Sequence, residues 1–189
     1  MPKCSSPSPI QYRIDRADRI RFVNEAWLQF ACQNAGEHLN RANVIGHSLL
    51  DFIEGEEFRQ IYGLIFKAVR TTLQAVVFKF RCDSPVCRRY FLLTVSPLEE
   101  EALMLSTHPV REVVRNAVPI LDPDVQRGEE SLTICSWCIK ACLSTKDWVE
   151  LDEAISRLDL LGGRAMPRIT HGLCPKCHAT IETELKNLR

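Results

Sequence analysis

The longest regular hydrophobic stripe in the chain runs from about Glu56 to Leu73. There Phe58, Ile61, Tyr62, Ile65, Phe66, Val69 and Leu73 recur at the i, i+3, i+4, i+7 spacing of one helical face. Glu54, Glu56 and Glu57 stand at its start, where carboxylates complement the positive end of the helix dipole. Upstream, Tyr12 and Ile14, then Ile20, Phe22 and Val23, flank the polar stretch Arg16-Ala17-Asp18, a pattern of two short strands and a turn. Asn24 to Ala35 reads as a short helix carrying Trp27, Leu28, Phe30 and Ala31, closed by Gly36. Downstream the period falls to two. Val76, Phe78, Phe80 and Cys82 alternate with Val77, Lys79 and Arg81, and Phe91, Leu93 and Val95 alternate with Tyr90, Leu92 and Thr94. Asp83-Ser84-Pro85 and Pro97 to Glu101 mark turns, and Ala102 to Thr107 completes an antiparallel meander, since short turns cannot make parallel crossovers. The pattern predicts an α+β fold around a five-stranded antiparallel sheet with flanking helices.

Beyond the meander the signals weaken. Val110, Val113, Val114 and Ala117 form a brief amphipathic segment, and Pro119, Pro123, Gly128, Glu129 and Glu130 read as a linker over 109–130. A second module is expected over 131–189. Leu151, Ala154, Ile155 and Leu158 share a helical face ended by Gly162-Gly163, and Ile181, Leu185 and Leu188 define a final helix. The module is therefore expected to be small and helical. Residues 1–10, rich in Pro and Ser, are expected to be a disordered leader ahead of a first domain over 11–108.

Charge removes the simplest electrostatic argument for nucleic-acid binding without excluding a local basic patch. Twenty-four basic residues balance 24 acidic ones, so the basic excess of most nucleic-acid-binding domains is missing. No apolar run reaches the roughly 18 to 20 residues that span a bilayer, and the first residues do not read as a secretion signal. A cytoplasmic location is the expectation. Nine cysteines in a reducing compartment point to metal or redox chemistry rather than to a disulfide framework.

Four of them carry the chemistry. Cys135-Ser136-Trp137-Cys138 and Cys174-Pro175-Lys176-Cys177 are two C-x-x-C knuckles, 35 residues apart. Two intervening residues let both thiolates of a knuckle turn to one point, and two such pairs suit the tetrahedral preference of Zn(II). Cys135, Cys138, Cys174 and Cys177 are thus the expected metal ligands. Trp137 and Trp148 would cover the site or its helix, and the metal would be structural, because so small a module buries little else. His171, His178 and Cys142 lie close enough in sequence to substitute for a ligand or to support one. Four thiolates leave no open coordination position, and no constellation for general acid–base or nucleophilic work is visible, so the chain is not expected to be an enzyme. Iron in a rubredoxin-like site is disfavoured by Ile139 and His178, which stand where glycine usually follows each knuckle. A dithiol switch of the thioredoxin type expects C-x-x-C at a strand-to-helix junction of a βαβ unit, which the pattern does not suggest. Cys82 and Cys87, flanking a turn, read as two small part-buried side chains, and Arg81, Arg88 and Arg89 as a solvated turn.

Two resemblances follow from these residues. Ile14-Asp15-Arg16-Ala17-Asp18-Arg19-Ile20 with Phe22-Val23-Asn24-Glu25-Ala26-Trp27, then Ile45-Gly46-His47-Ser48-Leu49-Leu50-Asp51-Phe52-Ile53, then the meander, resemble a PAS domain over about residues 12 to 108. The resemblance implies a sensory domain that holds a small molecule or forms dimers. It supplies no cofactor: the Asn-Cys-Arg-Phe-Leu-Gln stretch of flavin-binding members is missing, Cys32 lies in Ala31-Cys32-Gln33-Asn34, and the long helix has no histidine of the haem-binding kind. His38 and His47 lie elsewhere. Ile134 to Lys140, Trp148 to Glu153 and Thr170 to Cys177 are similar to a cysteine module attached to PAS domains in bacterial sensory proteins, over about 133 to 185.

The expectation is a cytosolic bacterial signal-transduction protein, a PAS sensor or dimerisation domain joined to a zinc-stabilised interaction module, homodimeric and acting on a protein partner. Its rivals are a thiol or metal redox sensor and a transcription regulator that binds DNA through the cysteine module.

Overall fold

The computed structural model describes residues 8–34, 36–162 and 165–188. Residues 1–7 of the expected leader and Gly163 lie outside them; Ile10 already belongs to the first strand. Strands β1 (Ile10–Ile14) and β2 (Ile20–Val23) form the opening hairpin. The Asp15 carboxylate accepts the backbone N–H groups of Ala17 and Arg19 and so shapes the turn between them. Helix α1 (Glu25–Gln33) starts on Asn24, whose side chain accepts the N–H of Trp27. A short turn of helix α2 (Arg41–Val44) and a 3-10 turn at Leu49–Phe52 lead to α3 (Glu56–Thr72). Its buried residues are Ile61, Ile65, Phe66 and Val69, from the stripe read in the sequence. Strands β3 (Val76–Arg81), β4 (Cys87–Pro97) and β5 (Leu103–Val114) complete a five-stranded antiparallel sheet in the order β2-β1-β5-β4-β3.

The stretch 109–130 is not a linker throughout. β4 and β5 pair down to Cys87 opposite Val114, past an irregularity in register between Tyr90 and Phe91 that leaves Phe91 opposite Pro109. Val118 and Ile120 are buried beside a 3-10 turn at Pro119–Leu121, and β6 (Arg127–Cys135) has begun before Gly128. Proline and glycine mark turns between paired segments here, not a break between free domains.

The C-terminal part holds a sheet that the periodicity missed. After β6 come β7 (Ala141–Ser144), β8 (Asp147–Val149), α4 (Leu151–Arg157), β9 (Met166–Gly172) and α5 (Pro175–Asn187). The sheet order is β8-β7-β6-β9, with β6 and β9 parallel from Ser131 opposite Arg168 to Cys135 opposite Gly172. Strands of three and four residues are too short to display a period of two. Leu151, Ala154 and Ile155 are buried against β6 in a small core with Val118, Ile120, Leu132 and Ile134.

A second core is continuous across both parts. Ile14, Ile65, Phe66, Phe78, Leu93 and Leu105 of the first sheet and its helix share it with Cys135, Trp137, Leu173, Cys174, Cys177 and Ile181. Helix α5 lies beside β3, the edge strand, and β9 lies beside α3. An exposed strand edge is an aggregation hazard, and here the cysteine-bearing segment covers part of it.

Candidate metal centre

The first knuckle is the turn between β6 and β7. The N–H of Cys135 donates to the carbonyl of Lys140 at 2.8 Å, and that of Ile139 to the carbonyl of Cys135 at 2.9 Å. Ile139 takes a left-handed backbone (φ 61), the conformation for which glycine is the usual choice. A branched side chain there stores strain of about 1 to 3 kcal/mol, which the surrounding hydrogen bonds must overcome. The second knuckle joins β9 to α5: Cys174 is the helix N-cap, its sulfur accepting the N–H of Cys177 at 3.4 Å, and Pro175 occupies the first helical position. The parallel pairing of β6 and β9 brings the two turns to the same end of the sheet.

The four sulfurs of Cys135, Cys138, Cys174 and Cys177 consequently lie within 4.8 Å of one another. Tetrahedral coordination at about 2.3 Å per sulfur separates ligand atoms by about 3.8 Å, and Cys138 Sγ to Cys174 Sγ is 3.8 Å. The N–H of Cys174 donates to Cys135 Sγ at 3.4 Å, a donor suited to a thiolate rather than to a thiol. The donor set and its spacing fit a metal ion. Their mutual effect points the same way: hydrogen bonds from Cys138 and Cys177, with the N–H of Cys174, pull the Cys135 thiol far down. Hydrogen bonding with Cys135 pushes Cys138 and Cys177 well up. One negative sulfur is tolerated alone, and a cation is what lets four ionise together.

The other sequence candidates stand outside this cluster. His171 Nδ1 lies 3.3 Å from Ser136 Oγ and its Nε2 3.3 Å from Glu54. His178 faces Glu182 at 3.8 Å, and the Cys142 thiol donates to the carbonyl of Ser144 at 3.1 Å. Cys82 pairs through its backbone with Arg89, not with Cys87. Burial raises the thiol pKa of Cys82. Arg81 and Arg89 are buried instead of forming a solvated turn. Arg81 is held by Asp83 at 2.5 Å and Glu150 at 2.7 Å, and Arg89 by Asn34 at 2.7 Å. One expectation is reversed in kind. The second knuckle does sit at a strand-to-helix junction, after a parallel strand pair whose crossover carries α4. Neither the short strands nor the parallel pairing left a mark on the sequence pattern.

Trp137 has a role that sequence reasoning missed. It points out of its knuckle into the first part of the chain, with ring centroids 5.8 Å from Phe58, 6.5 Å from Tyr62, 5.5 Å from Phe78 and 6.1 Å from Phe80. Phe80 stacks on Phe91 at 5.4 Å, and Phe91 meets Phe30 of α1 edge-on at 6.1 Å. Aromatic rings thus run without a gap from the cysteine knuckle to α1. Between the sheet and α1 lies an apolar pocket of about 340 Å³, lined by Tyr12, Trp27, Phe30, Tyr62, Phe80 and Phe91 among others. Burial raises the phenol pKa of Tyr12 well above its ordinary value, and that of Tyr62 to about 12.

No family model matches the chain, and no curated protein matches it. Among solved structures it is similar to the PAS domain of the RpfR quorum-sensing receptor of Cronobacter turicensis in complex with C12:0. That likeness has 13% identity and a TM-score of 0.41, and covers 57% of this chain and 99% of that one. The five-stranded antiparallel sheet, opened by a hairpin, closed by a meander and flanked by helices, carries the assignment of fold. The N-terminal half is PAS-like. The cysteine cluster follows that PAS-like half and packs against it. Among the described residues no helix is long and apolar enough to cross a membrane.

Proposed function

We propose that this chain is a bacterial cytosolic signal-transduction protein. Its PAS-like half senses or dimerises, and a zinc ion held by Cys135, Cys138, Cys174 and Cys177 fixes a surface that contacts a protein partner. Zinc is preferred because four thiolates at tetrahedral spacing suit a borderline-soft ion without redox chemistry. With four sulfurs around it the metal would have no position left for a substrate, so it is structural, and we read the chain as a binding protein rather than an enzyme.

One observation carries the reading. Trp137, inside the first knuckle, packs against Tyr62 and Phe80, which also line the pocket of the PAS-like half. A change in that pocket therefore reaches the metal loop through two ring contacts, and the reverse also holds.

The test is elemental analysis of the purified chain beside Cys135→Ser and Cys174→Ser. One zinc per chain, lost in either variant together with stability of the whole protein, is expected. A folded wild-type chain without metal overturns the reading.

A second reading has its own support in the placement of Cys174 and Cys177 at a helix N-terminus after a parallel strand. In it, oxidation of the cysteines releases the metal and alters the assembly. Zinc retained through mild peroxide treatment, with an unchanged oligomeric state, dismisses it. DNA binding through the cysteine module remains the weaker rival, and duplex DNA that fails to bind at low salt dismisses that.

A further inference from the structure

On the side of the metal centre facing β3, β4 and β5 lies a groove of about 810 Å³, within the range of small-molecule sites. Five cations line it: Lys79 and Arg111 from the PAS-like sheet, and Lys140, Lys146 and Lys176 from the cysteine-bearing part. No aspartate or glutamate contributes to the lining. The sixth cation there, Arg81, is already matched by Asp83 and Glu150. Among the described residues none of the five forms an ion pair, although Arg21, Arg41, Arg70 and Arg157 do so elsewhere in this electrically neutral chain. Evenly mixed charge would not leave one groove so uniformly basic.

A zinc ion with four thiolates would carry two negative charges on one wall, and Lys140 and Lys176, beside the cysteines in sequence, would offset them. That leaves Lys79, Arg111 and Lys146, which a single carboxylate would not use fully. A chain of phosphates would. The rest of the lining is largely apolar and holds the aromatic side chains of Tyr90 and Trp148. Tyr90 is already taken up by two guanidinium groups, Arg81 at 5.7 Å and Arg111 at 5.9 Å from its ring, whereas Trp148 is part-exposed and has no cation over it among the described residues. Planar bases stack on such rings whatever their identity.

We propose that this groove binds a nucleotide, with its base against Trp148 and its phosphates on Lys79, Arg111 and Lys146. The proposal does not depend on which metal the cysteines hold or on whether the interior pocket senses a ligand.

The experiment titrates ADP, GDP, CDP and UDP separately into the full metal-loaded chain by calorimetry, with adenosine and inorganic pyrophosphate as partial ligands. At least one diphosphate is expected to bind, and to bind more tightly than either partial ligand. Binding should weaken with salt. Lys79→Ala combined with Arg111→Ala, two exposed changes that leave the core intact, should weaken it about tenfold or more through loss of charge-assisted contacts. Trp148→Ala should weaken the nucleotide but not pyrophosphate. The proposal is overturned if no diphosphate binds, if the double variant binds equally well, or if pyrophosphate binds as tightly as the nucleotides. It is overturned also if an oligo-glutamate peptide or oligo-dT binds more tightly than every diphosphate.

Discussion

The backbone N–H of Arg81 donates to the carbonyl oxygen of Trp137 at 2.9 Å. Arg81 ends β3, the edge of the first sheet, and Trp137 lies between the two cysteines of the first knuckle. One residue of the first cysteine loop thus supplies the hydrogen bond that a neighbouring strand would have supplied. Its indole meanwhile fills the space beneath β3 and α3. The knuckle is a part of the PAS-like core as much as it is a carrier of cysteines.

Trp137→Ala should therefore unfold more than the knuckle. Removing a ring that is only 5% exposed and meets four other aromatic rings costs about 3 to 5 kcal/mol. Urea unfolding should remain a single transition by far-UV circular dichroism and by the fluorescence of Trp27 and Trp148, moved to lower denaturant. Two separated transitions, with the first sheet unaffected, would contradict the shared core.

Asp83 ties the halves together by charge. Its fully buried carboxylate meets Arg81 at 2.5 Å and Arg115 at 3.4 Å, and Arg81 reaches Glu150, just ahead of α4, at 2.7 Å. Arg88 pairs with Asp152 beside them. Asp83→Ala removes the carboxylate paired with Arg115 and one of the two paired with Arg81, and should cost about 3 to 5 kcal/mol. Glu150→Gln, at a carboxylate 36% exposed, should cost at most about 1 kcal/mol. Thermal melts of both variants check the ranking, and equal losses would refute it.

Alkaline pH should weaken the fold through Tyr12 and Tyr62. Burial raises both phenols, Tyr62 to about 12. Above the ordinary phenol pKa the unfolded chain loses those protons while the native chain keeps them, so stability falls as pH rises from about 10 to 12. The slope approaches about 1.4 kcal/mol per pH unit for each tyrosine. In Tyr12→Phe with Tyr62→Phe, denaturant midpoints over that range should fall less steeply than in the parent. Identical slopes would remove these two residues from the account.

Leu73, a residue 70% exposed, ends α3 in the left-handed conformation (φ 55). Glycine holds that conformation without the clash of a Cβ. Leu73→Gly should stabilise the protein by about 1 kcal/mol, raising the melting temperature by about 2 to 4 °C. A lower melting temperature would count against this helix end.

Much of the fold is legible in local pattern. The stripe on α3 needed only a 3.6-residue period, and the strands at Val76 to Arg81 and Cys87 to Pro97 only alternation over six or more residues. Such signals survive because each element has one face against a core. The second sheet left no comparable trace. β8 has three residues and β7 four, and β6 opens with Arg127, Gly128, Glu129 and Glu130, a composition typical of a connection. Their strand character comes from pairing partners distant in sequence. Likewise nothing local shows that Asp83 will find Arg115 or that five cations will line one groove.

By itself the sequence determined which residues form the cysteine cluster, because a knuckle is a local object whose two-residue spacing aims both sulfurs at one point. It also determined an α+β fold with five antiparallel strands. Only the tertiary structure decided that β6 and β9 run parallel, bringing the two knuckles together. Only it decided that Trp137 enters the PAS-like core. Both depend on contacts between segments far apart in the chain, and side-chain periodicity reports which face of an element is buried but not what buries it.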